Sequence, residues 1–123
     1  MIYTGYFANI GNYHGCLLSI ASRNPEFYNG ATMSAFAPPL KLIGAYKRGE
    51  INEFEYTDRY REEVLDKLDK EKIYEYLKAI DETEDVFLIC YEKDGFCHRH
   101  LVADWLENEV GLKVEEYRSP SVM

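Results

Sequence analysis

The sequence is short of the features that announce most familiar chemistries. No stretch approaches the roughly 18 consecutive apolar residues of a membrane-spanning helix, and the opening MIYTGYFANIG lacks the basic-then-apolar layout of a secretory leader. The cytoplasm is therefore the expected compartment, with no membrane partner. Three cysteines, Cys16, Cys90 and Cys97, are too few and oddly numbered for a disulfide framework, so reduced thiols are expected. Positive charge is scarce: 14 Lys and Arg stand against 22 Asp and Glu, a formal net charge of −8. That balance disfavours broad binding to nucleic acid or anionic surfaces, although a local basic pocket remains compatible with it. No Walker loop, G-x-G-x-x-G, G-x-S-x-G or Cys-x5-Arg string occurs, and no cofactor is expected.

What is present reads as one α/β domain over residues 1–123. Hydrophobic residues make up 46% and charged residues 29%, the balance of a chain that buries a core unaided. Ile2 to Phe7 mixes β-branched and aromatic residues before the turn-like Asn9 to Asn12 and reads as a first strand. Cys16 to Ala21 reads as a second, expected beside the first. Pro25 to Pro39 reads as an irregular loop carrying Phe27, Tyr28, Met33 and Phe36. Leu40 to Lys47 suits a short helix. Three- and four-residue apolar steps predict helices over about Glu53 to Leu68 and Lys72 to Ile80.

Val86 to Tyr91 is apolar on both alternating sets, the pattern of a strand covered on both faces and central in a parallel sheet. A third amphipathic helix carries Leu101, Val102, Trp105, Leu106 and Val110, with Gly111 placed to cap it. Leu112 to Tyr117 alternates like an edge strand, and Arg118 to Met123 is expected to fray. Strands alternating with helices in this order predict a three-layer single domain, a mostly parallel central sheet flanked by helices.

Chemistry concentrates around the end of that central strand. Glu92 falls just beyond its carboxyl end, where open α/β sheets place their ligand crevice. Cys97, His98, Arg99 and His100 open the next helix, whose free N–H groups and dipole welcome an anion. At about 100° per residue, His98 lies within the stripe of Leu101, Val102 and Trp105 and points inward. Arg99 lies at the stripe's edge, and His100 points to solvent. Cys97 would feel the dipole and His98, the conditions that lower a thiol pKa.

Each of these residues also has a structural reading. Cys90 suits a small core position. Cys97 fits equally a helix-start packing residue or a reactive thiol. His98 is either a buried histidine bonding a strand-end carbonyl or Glu92, or a catalytic acid–base. Arg99 wants a carboxylate or phosphate partner, which Glu92 can supply. Cys90, Cys97, His98 and His100 match no zinc spacing, so no metal is expected.

The strings Leu88-Ile89-Cys90-Tyr91-Glu92 and Cys97-His98-Arg99-His100-Leu101-Val102-Ala103 resemble the signature of domain-of-unknown-function family 488, whose members end a strand in Cys-x-Glu and begin the next helix with Cys-His-Arg. Tyr3-Thr4-Gly5-Tyr6, Arg23 with Pro25, and the Tyr56/Tyr60 pair also fit its layout. Many members carry Asp-Val-Arg at the second strand end, where the corresponding stretch of this chain reads Ile20-Ala21-Ser22-Arg23. The resemblance implies an α/β fold with both segments facing one pocket.

Two functional readings stay open. In the first, the chain is an enzyme acting on a phosphate-bearing, nucleotide-like or nucleic-acid substrate. Arg99 and Arg23 hold the anion, Glu92 and His98 move protons, Cys97 serves as nucleophile or orienting group, and Tyr3, Tyr6 or Tyr91 stack a base. In the second, the pocket is a non-catalytic binding module for a nucleotide, a nucleic-acid end or a protein, with Lys41, Lys47 and Arg48 nearby.

Overall fold

A computed structural model describes residues 1–118; the frayed tail expected from Arg118 lies, from residue 119 onward, outside the described residues. Five strands, β1 (Ile2–Tyr6), β2 (Cys16–Ser19), β3 (Ala31–Thr32), β4 (Val86–Cys90) and β5 (Val114–Glu116), form one sheet in the order β3-β2-β4-β1-β5. Every pairing is parallel. Four α-helices accompany it: α1 (Leu40–Lys47), α2 (Glu53–Glu63), α3 (Lys70–Asp81) and α4 (His98–Trp105).

The central position of β4 follows from its composition. All five of its residues are buried, so both faces need cover and both edges need a partner. It pairs with β1 on one side, Ile2 opposite Val86 and Tyr6 opposite Cys90, and with β2 on the other, Cys16 opposite Val86. The first two strands are therefore not neighbours, contrary to expectation, because β4 separates them. The 3-10 turn Phe7–Asn12 carries the chain across that gap.

The helices start where side chains can cap them. Asn52 and Glu55 form a reciprocal capping box at α2, and Asp69 accepts from the backbone N–H groups of Glu71 and Lys72 at α3. The first long helix is shorter than the periodicity predicts: α2 ends at Glu63 and a 3-10 turn spans Leu65–Lys67. Phe54 and Tyr76, which fit the apolar steps, stay exposed. The loop from Pro25 to Pro39 contains the two-residue strand β3 and a 3-10 turn, Ser34–Phe36. After α4 the helix widens into a π turn, Leu106–Val110, closed by Gly111 at φ +85, the left-handed geometry that suits glycine.

The sheet separates two cores. On one face, Ile2, Leu18, Val86, Leu88, Cys90 and Val114 meet the apolar faces of the helices through Leu42, Tyr60, Leu77, Val102 and Trp105. On the other, Phe87 and Ile89 are covered by Phe7, Tyr13, Ala21 and Tyr28, so the third layer is a 3-10 turn and an aromatic loop. Tyr13 stacks on Phe87 at 4.8 Å between centroids and receives a hydrogen bond from the Tyr6 backbone N–H. Its ring lies over Gly5, where a Cβ would come within 2.8 Å of Cε2, so glycine is required there by close approach. No helix among the described residues is long and apolar enough to cross a membrane.

Candidate functional site

A cavity of ≈ 530 Å³ opens where β2 and β4 end, the position an open parallel sheet reserves for a ligand. Its lining includes Cys90, Glu92, Cys97 and His98 from the two motif segments. Ala21, Ser22 and Arg23 enter after β2, and Tyr46, Lys47, Tyr56 and Phe96 complete an aromatic wall and a cationic rim. Phe96 packs against Tyr46 and Tyr56 at centroid distances of 5.3 and 5.1 Å. Among the described residues neither Arg23 nor Lys47 forms an ion pair.

The floor carries a sulfur pair. Cys90, the last residue of β4, and Cys97, the N-cap of α4, place their Sγ atoms 2.7 Å apart, both buried. The surroundings decide which of the two thiols gives up its proton more readily. Cys97 sits at the helix N-terminus, whereas Cys90 has the Glu92 carboxylate 3.8 Å from its sulfur. Charge therefore settles on Cys97. The contact with the Cys90 thiol holds Cys97 well below the usual thiol range against the opposing effect of burial. The Cys90 thiol is driven upward by that same bond, then by burial and by the charges of Cys97 and Glu92.

His98 points inward, as the helical rotation predicts, and is 6% exposed. Its Nε2 lies 2.7 Å from the Ile20 carbonyl oxygen, which can only accept, so Nε2 carries a hydrogen. The tautomer is thereby fixed, and Nδ1, which carries the lone pair, lies 3.3 Å from Cys90 Sγ. The Tyr60 ring flanks the imidazole edge-on at 5.5 Å. His100 is exposed, as expected.

Arg99 is 1% exposed and does not line the cavity. Its Nε and Nη2 donate to the two Glu116 oxygens at 3.1 and 3.0 Å, and Nη2 also donates to the Lys93 carbonyl at 3.0 Å. Nη1 donates to the Glu92 carbonyl, so it is the backbone of Glu92, not its side chain, that Arg99 holds. The arginine thus ties the β4–α4 loop to β5. Tyr6 lies beneath the guanidinium, 5.9 Å from ring centroid to Cζ, and Tyr3 stacks on Phe87 and meets Tyr117 edge-on. Neither of these tyrosines lines the cavity. Tyr91 does, exposed at its rim and edge-on to Phe7.

Of the residues singled out from sequence, Glu92, Cys97, His98, Arg23 and Tyr91 converge on the cavity, while Arg99, Tyr3 and Tyr6 stand outside it. Sequence reasoning missed Tyr46 and Phe96 as wall residues and Glu116 as the partner of Arg99. A signal for Glu116 exists: it follows Val114 by two positions, so it shares the covered face of β5, where a carboxylate needs a cation.

Cys90, Cys97 and His98 also hold one ligand atom each within 4.8 Å of the others. Two thiolates on a tetrahedral zinc, with bonds of ~2.3 Å, stand roughly 3.8 Å apart. The two sulfurs here stand closer than that, at 2.7 Å.

Neither the curated proteins nor the solved structures compared with the chain include a match. Residues 21–110, which carry β3 through α4 and every cavity residue named above, match the family described as the "Active DUF488-N3 subclade". The chain belongs to the DUF488 family.

Proposed function

We propose that this protein is an enzyme acting on a phosphate-bearing, nucleotide-like substrate bound in the cavity between β2 and β4. One observation carries the reading: an acidic thiol, a carboxylate and two unpaired cations face the same aromatic-walled space at a parallel sheet's carboxyl edge. Tyr46, Tyr56 and Phe96 offer faces and edges on which a base can stack. Arg23 and Lys47 hold the phosphate at the rim, a task that Arg99, engaged with Glu116, leaves to them. Cys97 supplies the nucleophile, Glu92 exchanges protons with the substrate, and His98 positions the sulfur pair. The matched subclade is described as active, which fits this assignment.

The test is a thermal-shift series with nucleoside monophosphates and inorganic phosphate, because a ligand of the native state must raise stability. A nucleotide is expected to raise Tm more than phosphate, Arg23→Ala with Lys47→Ala to remove the shift, and Cys97→Ala to keep it. Equal, unshifted melting with all nucleotides overturns the reading.

A non-catalytic binding module is favoured by a different observation, the commitment of His98 and Arg99 to hydrogen bonds within the chain. In that case Cys97→Ala leaves every function of the cavity intact.

A further inference from the structure

The nucleophile assigned above leaves one reactive group unexplained. Cys90 is a second thiol, buried on the same cavity floor, in contact with Cys97 and with the free nitrogen of His98. A core position at a strand end needs neither a thiol nor a histidine lone pair. Both are needed if the two sulfurs are to join.

We propose that Cys90 is the resolving partner of Cys97, and that a hydroperoxide entering the cavity converts the pair into a reversible intrachain disulfide that switches the site off. The inference rests on the reading of Cys97 as the nucleophile. In the first step the Cys97 thiolate attacks the distal oxygen of the hydroperoxide. The O–O bond breaks, the sulfur is oxidised by two electrons to a sulfenic acid, and the departing alkoxide or hydroxide takes a proton from solvent. In the second, Cys90 Sγ attacks the Cys97 sulfur and the S–O bond breaks. The Cys90 proton passes to His98 Nδ1 and on to the departing hydroxide, leaving as water. Reduction by a dithiol reverses the bond.

Three features of the structure serve this chemistry. The sulfurs meet at 2.7 Å with no backbone segment between them. The Ile20 carbonyl holds the hydrogen of His98 on Nε2, which keeps Nδ1 as a base 3.3 Å from the attacking sulfur. The remaining cysteine, Cys16, cannot compete, because it pairs with Val86 at the opposite end of β4, about 13 Å away at ~3.3 Å per residue. Joining the sulfurs removes the nucleophile and stitches β4 to the start of α4.

The experiment treats the full chain with stoichiometric hydrogen peroxide and maps each cysteine by peptide mass spectrometry, with and without dithiothreitol. Wild type is expected to yield a Cys90–Cys97 cross-linked peptide, lighter by two hydrogens and restored by dithiothreitol. Cys90→Ser is expected to stop at a Cys97 sulfenic acid that dimedone traps and excess peroxide carries to sulfinic acid. His98→Asn is expected to slow closure on the order of a hundredfold, the size of a proton-transfer contribution. Accumulation of sulfenic or sulfinic Cys97 in wild type, or a cross-link through Cys16, overturns the proposal. Nucleotide binding is read separately by thermal shift, so a chain that forms the disulfide but ignores nucleotides refutes only the substrate assignment. A chain that binds nucleotides without forming the disulfide refutes only this one.

Discussion

Glu116→Ala isolates the brace that holds the motif loop. The substitution leaves the Arg99 guanidinium, 1% exposed, without its carboxylate, and strips the Thr4 hydroxyl of an acceptor at 2.6 Å. Breaking one side of a buried ion pair costs about 3–5 kcal/mol, since the remaining charge stays buried. Glu116 is itself 27% exposed, so water can reach the vacated position and the lower end applies, about 3 kcal/mol. That is a large share of the ~5–15 kcal/mol that stabilises a domain, and it lowers Tm by roughly 10–15 °C at this chain length. Trp105 is the one tryptophan and is 1% exposed, so its fluorescence reports unfolding in urea without a label. Glu116→Gln, which keeps an acceptor, should lose about half as much. A Glu116→Ala chain within about 0.5 kcal/mol of wild type refutes the reasoning, since surface substitutions behave that way.

Other consequences are simpler. Gly5→Ala forces a methyl group into the Tyr13 ring and is expected to destabilise by about 1–3 kcal/mol, as overpacking does, read by the same urea titration. Tyr60→Phe removes a buried hydrogen bond of 2.6 Å to the Phe36 carbonyl and is expected to cost about 1–3 kcal/mol for the acceptor left unpaired. Phe96→Ala opens the aromatic wall and is expected to weaken nucleotide binding at every salt concentration. Lys47→Ala should weaken it chiefly at low salt, because exposed charges are screened. A salt series by calorimetry separates the two.

Much of this arrangement is legible in the chain itself. The unbroken apolar run from Val86 to Cys90 names the central strand, and one rotation rule turns His98 inward and His100 outward. The strand order is not legible, because nothing local in Cys16 to Ala21 says that β4 intervenes before β1. Nor can periodicity say which face Cys90 takes, since both faces of β4 are buried; only pairing with Tyr6 and the docking of α4 bring its sulfur to Cys97. Arg99 shows the other limit. Its need for an anionic partner is evident, yet that partner stands on a strand that follows in sequence and meets the site only once β5 adds to the sheet edge. The aromatic wall has the same origin, two helices and a loop converging on one space.

Site-resolved alkylation of Cys97 by iodoacetamide across pH tests the central claim most directly. A thiolate already present predicts a rate for Cys97 that stays nearly flat from pH 8 down to pH 6, while Cys90 stays unreactive throughout. A Cys97 rate that falls tenfold per pH unit below an ordinary thiol value of ~8.5 contradicts it.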